Sequence, residues 1–406
     1  MFGPQSENRM IDAHSPAWWR ATAALCLGSF MIFANVYVTQ PLLPMLTDHF
    51  GVSSLQASWS FTLTTLMLGA SLLFYGPLSD AIGRRGIMLA TMVGATLVAL
   101  LLSQITGFYE LLILRAFQGF LLGGLPAIAI AYMGDEFQKP ALMLAVGYYI
   151  SANSLGGISG RLLGGFIGDY YGWQQAFTVV CGISVVCIAL FWWLLPPSRH
   201  FQARSLRPKP MIRDLTGHLR NPALMMAYMI GGLNFFIFVN QYSYATFLLA
   251  APPYNLSPSW LGMLFLTYLS GTVGSALSGK AAKHWSQPAC MAAGGLLLII
   301  GTLVTLIPDV KGILAGFLIN AFGFFFAHSS ASSWVSQNAV GARASASSLY
   351  LVFYYLGAST GGIYLELFWL QSGWKGVVLG SILVLFVTTF IALLLRCRQH
   401  RMLVAS

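Results

Sequence analysis

The stretch Gly76-Pro-Leu-Ser-Asp80-Ala-Ile-Gly-Arg84-Arg85-Gly86 places a carboxylate and two arginines between two long apolar runs. The flanking runs, residues 57–75 and 87–102, approach the length of about 20 residues that a helix needs to cross a lipid bilayer. Charged side chains are costly inside hydrocarbon, so Asp80, Arg84 and Arg85 must lie outside it. The stretch therefore predicts a charged loop at a membrane face, joining two membrane-spanning helices.

The composition extends this prediction to the full length of the chain. Charged residues make up 8% of the 406 residues, whereas soluble proteins contain about 25%. Hydrophobic residues make up 57%, and long apolar runs recur along the sequence. We therefore predict an all-α integral membrane protein with twelve transmembrane helices. The predicted spans are residues 18–46, 53–75, 87–106, 108–133, 140–168, 174–195, 221–250, 258–280, 288–307, 311–334, 344–368 and 374–395.

The net charge of +10 is distributed unevenly over the predicted loops. Seventeen of the 21 Lys and Arg residues fall on one side of the membrane, whereas the opposite loops hold Lys311 and Lys375. An excess of basic residues marks the cytoplasmic side, so both chain termini are predicted to be cytoplasmic. This placement explains the charge by membrane topology, and no binding of nucleic acid is expected.

Other sequence signals limit the class of protein further. The first residues lack the pattern of a removable signal peptide, so span 1 is predicted to direct insertion into a bacterial-type inner membrane. Five cysteines and seven histidines are scattered without the spacing of disulfides or metal sites. The sequence contains neither a nucleophile–base set nor a nucleotide-binding loop that would indicate an enzyme, and no cofactor is expected.

The chain repeats itself with an offset of 205 residues. Asn35 recurs as Asn240 (240 − 35 = 205), and the pair Gly156-Gly157 recurs as Gly361-Gly362. The same offset holds across several different helices, at polar and glycine positions as well as apolar ones. A shared apolar composition does not produce such a register, so we predict a duplicated, pseudo-symmetric pair of six-helix halves.

A Pro- and Arg-rich stretch separates the two copies. It covers residues 197–220 and is centred on Arg204-Ser-Leu-Arg-Pro-Lys-Pro210, which is typical of a cytoplasmic linker. The predicted N-terminal bundle is residues 1–196, and the predicted C-terminal bundle is residues 221–406. Parallel repeats of this kind place a substrate site at their interface, near the bilayer midplane.

Three motifs resemble the major facilitator superfamily (MFS), and within it the twelve-span drug:proton antiporters. Residues 76–85 match the loop between helices two and three of that superfamily. Arg115-Ala-Phe-Gln-Gly119 resembles the fourth-helix pattern of its proton-coupled members, and Pro41-Leu-Leu-Pro44 resembles the end of the antiporters' first helix. The resemblance covers the whole chain and implies the MFS fold, with transport by alternating access.

The resemblance also implies a conformational latch at the loop motif. It places the acid of the motif at the N-terminus of helix eleven, here near residues 344–348, and pairs the arginines with acids on neighbouring loops. The alternative is a solvated loop that only fixes the topology. The predicted latch residues are Gly76, Asp80, Gly83, Arg84, Arg85, Asp135 and Glu136.

Span 5 departs from the antiporter pattern. The family's Gly-x-x-x-Gly-Pro-x-x-Gly-Gly is here Gly156-Gly-Ile-Ser-Gly160-Arg161-Leu-Leu-Gly-Gly165, with arginine at the proline position. The glycines are expected to let two helices approach closely. Arg161 weakens the inference of antiport, and its equivalent in the second half is Glu366 (366 − 161 = 205).

Three residues are candidates for proton coupling. Glu366 is the carboxylate that lies clearly within a predicted span, and carboxyl groups in apolar surroundings can hold a proton at neutral pH. The alternative for Glu366 is an interfacial position, exposed to water near the outer end of helix eleven. His328 either titrates or packs as a hydrogen-bonded residue. Arg161 adds a second buried positive charge.

Arg115 and a set of polar and aromatic residues form the expected substrate site. Arg115 should face the bundle interior, where it binds an anion, modulates a proton carrier, or is fixed by backbone carbonyls and Gln118. Uncharged hydrogen-bonding and aromatic side chains suit a mostly apolar or neutral molecule. The predicted substrate-binding residues are Asn35, Tyr37, Gln40, Arg115, Gln118, Tyr149, Asn153, Asn240, Gln241, Tyr242, Asn320, Tyr354 and Tyr355.

These features predict a secondary active transporter. The leading hypothesis is proton-coupled efflux of small amphipathic or drug-like molecules by a monomer in the lipid bilayer. Uptake or uniport of a polar nutrient or organic anion is the alternative, favoured by Arg115, Arg161 and the missing proline. A membrane receptor that binds without transporting is a further alternative, although the chain has no sizeable extramembrane domain for signalling.

Overall fold

The computed structural model describes residues 10–201, 208–340 and 343–405, and the regular elements in this part are helices. In lipid, every backbone N–H and C=O must be bonded within its segment, which an α-helix achieves. In chain order the α-helices are α1 (Pro16–Tyr37), α2 (Leu43–Phe50), α3 (Ser54–Ile82), α4 (Arg84–Leu102), α5 (Phe108–Leu122), α6 (Gly124–Glu136), α7 (Lys139–Tyr171), α8 (Trp173–Leu194), α9 (Pro208–Arg220), α10 (Pro222–Ala250), α11 (Pro258–Met263), α12 (Tyr268–Ala281), α13 (Gln287–Val304), α14 (Val310–Asn338) and α15 (Arg343–Ala405).

The prediction of twelve spans is confirmed. Among the described residues, 11 helical stretches are long and apolar enough to cross a membrane. The last of them, Ser345–Gln399, is interrupted at Ser372 and Gly373, where the backbone leaves the helical region. Gly373 has a φ of 56°, a left-handed conformation that glycine adopts at little cost. The break divides this stretch into spans 11 and 12.

Span 1 is broken near its C-terminal end, although its apolar run predicts one continuous helix. α1 ends at Tyr37, a short 3-10 helix follows at Gln40–Leu42, and α2 begins at Leu43. Pro41 lacks the backbone N–H that would bond the carbonyl of Tyr37 in an uninterrupted helix. The last carbonyls of α1 therefore need other donors.

The chain forms two compact units. The first comprises Met1–Leu42 and Met67–Leu206, and the second comprises Leu43–Leu66 and Arg207–Ser406. The second unit thus contains α2 and the first part of α3, and α2 packs against α10 within it. Each unit is built from long helices in direct contact.

The linker contains a helix that composition did not indicate. α9 covers Pro208–Arg220, and the side chain of Asn221 then caps α10 by accepting two backbone N–H bonds. Residues 202–207, which include Arg204 at the centre of the predicted linker, lie outside the described residues. A basic linker can therefore still end in a helix that leads directly into the next span.

Candidate functional site

The loop motif forms an ion-pair cluster centred on Arg84. Its Nη1 lies 2.9 Å from Asp80 Oδ1, and its Nε contacts Asp135 Oδ2. Gly83 precedes α4 with a φ of 110°, a conformation that favours glycine, and so turns the chain directly before Arg84. Gly76 lies inside α3, and a Cβ added there would meet no other side chain or neighbouring helix within 4 Å. The structure thus brings the acid and the first arginine of the motif together with Asp135.

Arg85 and Glu136 make different contacts. The Arg85 Nη2 group donates to the carbonyl oxygen of Trp192 at 2.9 Å. Glu136 is 2% exposed and accepts bonds from the backbone N–H groups of Arg199 at 2.7 Å and His200 at 3.0 Å. A buried carboxylate needs such donors. Glu136 therefore fixes the first residues of the linker to the end of α6.

Arg115 is fully buried and holds the C-terminal end of α1. Its Nη1 donates to Asn35 O at 2.9 Å and to Gln118 Oε1 at 2.6 Å. Its Nη2 donates to Val36 O at 2.8 Å. These carbonyls belong to the last turn of α1, where intrahelical bonding stops, and a cation there also complements the helix dipole. Arg115 therefore serves as a cap for the broken span 1.

Gln118 and Asn35 extend this cap into a network. The Gln118 Nε2 group donates to Asn35 Oδ1 at 3.1 Å and to Ala95 O at 3.2 Å. The Asn35 Nδ2 group donates to Ser184 Oγ at 3.0 Å. The network joins α1, α4, α5 and α8 through buried hydrogen bonds, which hold these helices in one arrangement.

Arg161 is held against α1. Its Nε donates to Gln40 Oε1 at 2.9 Å, and its Nη1 donates to Gly157 O at 3.2 Å. The guanidinium carbon lies 3.8 Å from the centre of the Tyr37 ring, a cation–π contact. Arg161 is 1% exposed. Its charge is therefore engaged by α1 and by its own helix, inside the first unit.

Three glycines bring α7 against the backbone of α1. A Cβ at Gly156 or Gly160 would overlap backbone atoms of α1, and a Cβ at Gly164 would overlap the carbonyl oxygen of Val38, the residue after α1. At Gly160 it would lie 2.6 Å from Ala34 Cα. The four-residue spacing places all three glycines on one face of α7. The predicted close approach of helices thus occurs between spans 1 and 5.

A polar cluster lies near the middle of the first unit's helices. Ser29 Oγ contacts Asn153 Oδ1, and Tyr149 lies one turn earlier on the same face of α7. Tyr149 and Asn153 lie roughly 15 Å and roughly 21 Å from the start of a helix about 50 Å long. Asn153 is half-buried. Ser29 was not predicted as a site residue, although its repeat equivalent, Asn234 (234 − 29 = 205), is also polar.

In the second unit, the predicted amide side chains bond to other groups of the bundle. The Gln241 Nε2 group donates to Thr302 Oγ1 at 3.0 Å, and Asn320 Nδ2 donates to Gln241 Oε1 at 2.7 Å. The Asn240 Nδ2 group donates to Ala358 O at 2.9 Å. All three amides are at most 2% exposed. They connect helices of the second unit rather than lining an open surface.

Tyr242 is likewise engaged within the second unit. Its hydroxyl oxygen lies 2.6 Å from Thr267 Oγ1, and its ring packs against Phe265 and Phe317. Its repeat equivalent, Tyr37, supports Arg161 in the first unit. Both repeats thus have a tyrosine at this position, but the groups that the ring contacts differ.

Tyr354 and His328 belong to an aromatic cluster in the second unit. The Tyr354 ring stacks on Phe235 with centres 3.7 Å apart, and His328 lies 4.8 Å from Tyr354. His328 Nδ1 is 2.8 Å from the Tyr350 hydroxyl oxygen, as expected for a hydrogen-bonded packing residue. Tyr355 is 6% exposed, whereas Tyr354 and His328 are half-buried. Tyr354 and His328 therefore form the accessible edge of the cluster.

Glu366 is buried inside the second unit. It is 6% exposed, and its Oε2 lies 2.7 Å from the hydroxyl oxygen of Tyr244 on α10. It precedes the break at Ser372 by six residues (372 − 366), or about 9 Å of helix. Tyr244 was not predicted, because its repeat equivalent is Thr39 and the repeat gave no signal there. No three His, Cys, Asp or Glu side chains converge as metal ligands within the ranges described above.

Comparison with known proteins identifies the family. The Major Facilitator Superfamily model matches residues 25–362. The chain belongs to the major facilitator superfamily. This MFS protein is 37% identical over 396 residues to the inner membrane transport protein YnfM of Escherichia coli (strain K12), covering 98% of this chain and 94% of that protein. The predicted family is therefore confirmed.

Two further similarities are to a solved structure and to a relative that matches about half of the chain. A solved bacterial homologue of the human lysosomal transporter Spinster, in an inward-facing and unoccupied conformation, superposes with a TM-score of 0.72. It covers 94% of this MFS chain and 96% of that chain at 15% identity, which shows a shared fold alone. The multidrug resistance protein MdtG of Salmonella arizonae is 28% identical over 218 residues, 52% of this chain and 53% of that protein. This MFS member is a multi-pass membrane transporter and, as predicted, not an enzyme.

Proposed function

We propose that this MFS transporter exports small, uncharged amphipathic molecules in exchange for protons. The observation that best supports the proposal is that the arginines within the spans are buried, whereas several polar residues of the protein are only half-buried. Arg115 and Arg161 are bonded within the first unit. Asn153, Tyr354 and His328 are half-buried and uncharged or aromatic. Such side chains suit a ligand with an apolar body and a few hydrogen-bonding groups.

The name of MdtG supports export as the direction of transport, because it describes multidrug resistance. We propose alternating access between two six-helix halves, residues 1–196 and 221–406, in a monomer of the inner membrane with both termini cytoplasmic. The loop motif with Asp80 would act as the latch in one of the two states. Its proposed partner at residues 344–348 begins beside residues 341–342, which lie outside the described ones. Glu366 is the proposed proton carrier.

Uptake of an organic anion is the second candidate. It was favoured by the two arginines within spans, because a fixed positive charge can bind a carboxylate. Arg115, however, donates to two helix carbonyls and to Gln118, and Arg161 donates to Gln40 and Gly157. An anion would have to displace these bonds. An uncharged molecule leaves the bonds of both arginines in place, and we therefore favour its export.

Proteoliposomes that contain the purified full-length protein and a pH-sensitive dye in their lumen test the proposal. Chloramphenicol represents uncharged amphipathic compounds, benzoate represents organic anions, and ethidium represents lipophilic cations. We expect proton flux on addition of the uncharged compound, and transport of that compound when a proton gradient is imposed. Proton-coupled transport of benzoate alone would favour the second candidate, and an absence of coupled flux with all three compounds would reject proton exchange for them.

A matched pair of variants links the transport to the polar cluster. We expect Asn153→Ala to raise the KM for the uncharged compound about tenfold, because one lost hydrogen bond to ligand contributes about 1 kcal/mol or slightly more. Ser151→Ala is the control, since the Ser151 hydroxyl is exposed and donates to Gly147 O of its own helix. Equal KM values for the two variants would remove Asn153 from the proposed site.

A further inference from the structure

Tyr244 and Glu366 form a hydrogen-bonded pair where α10 meets α15. The Tyr244 hydroxyl oxygen lies 2.7 Å from Glu366 Oε2 and 2.9 Å from the carbonyl oxygen of Gly362. Tyr244 is 0% exposed and Glu366 is 6% exposed. Gly362 and Glu366 are one helical turn apart, so both oxygens face Tyr244 from the same side of α15.

Counting protons on this pair shows which form of Glu366 fits the geometry. A tyrosine hydroxyl carries one proton, and it can donate to one acceptor at a time. An ionised Glu366 and the carbonyl of Gly362 are both acceptors, so with the carboxylate one of the two short contacts lacks a proton. A protonated Glu366 donates to the Tyr244 oxygen, and Tyr244 then donates to Gly362 O. Both short distances are satisfied only in this second form.

We propose that Glu366 is protonated in this conformation and that Tyr244 is the positioning residue that retains its proton. The role given to this proton in transport rests on the proton exchange proposed above. The protonation of Glu366 itself depends only on the contacts described. The proton would leave from the Glu366 carboxyl group to water, and Tyr244 would keep its own proton throughout. Glu366 thus alternates between a neutral carboxylic acid and a carboxylate.

The surroundings contain few groups that could stabilise an ionised Glu366. α10 contains no acidic, basic or histidine residue, and the α10 group that contacts the carboxyl is Tyr244. On α15 the neighbouring ionisable residues are Tyr364 and, beyond the break, Lys375. α2, which packs against α10, carries Asp48 and His49, and α14, which packs against α15, carries Lys311 and His328. Burying a carboxylate without a paired charge is costly, and no ion pair to Glu366 is found among the residues that the structure describes.

The repeat places opposite chemistry at equivalent positions of the two units. Arg161 stands 205 residues before Glu366 (366 − 161), and it contacts Tyr37 of α1 as Glu366 contacts Tyr244 of α10. The arginine stays charged at any physiological pH, whereas a carboxyl group can change its charge. At this repeated position, the first unit therefore has a side chain of constant charge, and the second unit has one whose charge can change.

Release of the proton requires a change at the contact between α10 and α15. Separation of the Tyr244 hydroxyl from Glu366, together with entry of water, would solvate the carboxylate and remove the donor that retains the acid form. Closing the contact would again favour proton uptake. The pair would therefore bind and release one proton per cycle without any further ionisable partner.

Infrared difference spectroscopy of the full-length protein in lipid vesicles tests this proposal. A protonated carboxyl group absorbs at a frequency distinct from that of a carboxylate, and Glu366→Gln provides the reference spectrum. We expect a carboxylic acid band at neutral pH in the unmodified protein and loss of that band in Glu366→Gln. Tyr244→Phe should shift the band, because the carboxyl group loses its hydrogen-bond acceptor.

Tyr364→Phe is the matched control for Tyr244→Phe. The Tyr364 hydroxyl donates at 3.0 Å to Gly380 O, which lies beyond the break at Ser372 and Gly373, and not to a carboxyl group, so its loss should leave the band in place. A spectrum without any band sensitive to Glu366→Gln at neutral pH would overturn the proposal. So would a band that Tyr244→Phe and Tyr364→Phe leave equally unchanged. A Glu366 band in a protein that shows no substrate-coupled proton flux would instead contradict the proposed exchange and leave the protonated pair intact.

Discussion

Replacing Gly160 by alanine should loosen the contact between α1 and α7. The added Cβ would lie 2.6 Å from Ala34 Cα, below the 3.0 Å that real Cβ atoms respect. The obstacle is backbone, which cannot rotate away, so the two helices must separate by roughly 1 Å to restore ordinary contact. Overpacking of this kind costs about 1–3 kcal/mol. Alanine also gains about 0.5–1 kcal/mol of helix propensity over glycine, which offsets part of that cost.

Gly147→Ala is the matched control, because it lies on the same helix and a Cβ there meets nothing within 4 Å. Both variants share the propensity gain, so the difference between their free energies of unfolding isolates the helix contact. We expect Gly160→Ala to be less stable than Gly147→Ala by about 1–3 kcal/mol. Reversible unfolding in mixed detergent micelles measures this difference. Equal stabilities would refute the conclusion that spans 1 and 5 touch through their backbones.

Two other predictions concern buried polar residues. Arg115→Met leaves the last carbonyls of α1 without donors at about 1–3 kcal/mol each, so we expect a lower unfolding temperature, partly restored in Arg115→Lys. If Arg115→Met unfolded at the same temperature as the unmodified protein, the cap would contribute nothing. His328→Gln should retain a hydrogen bond to Tyr350 and leave the pH dependence of transport unchanged, as measured by initial rates across neutral and mildly acidic pH. An altered pH profile in His328→Gln would make His328, rather than Glu366, the leading proton carrier.

The membrane architecture was predictable because lipid imposes strict rules on sequence. Each span must be apolar for about 20 residues, and charges gather in the loops, so composition alone indicates twelve helices. The duplication was visible for a similar reason. Glycines such as Gly156 and Gly361 sit where helices touch through their backbones, and larger residues do not fit there. These constraints act on single positions, and a single sequence therefore reveals them.

The use of each buried polar group was not predictable, because it depends on partners far away in sequence. From the sequence, Arg115 could either bind a ligand or cap a helix. Its role as a cap depends on the break in span 1 at Pro41. Composition does not identify Ser29 or Tyr244 as site residues, since hydroxyl groups are common in membrane helices. Their importance comes from the carboxyl and amide groups that the fold places beside them.

The assignment of residues 43–66 to the second unit affects the order in which the protein can assemble. Thr65 Oγ1 lies 3.2 Å from Ser359 Oγ of α15, so a segment made early in synthesis waits for a helix made almost 300 residues later (359 − 65 = 294). A fragment that starts at the linker would lack this segment from its own packing. Residues 43–66 are therefore synthesised long before the rest of the second unit, and the packing of that unit is complete only after α15 has been made.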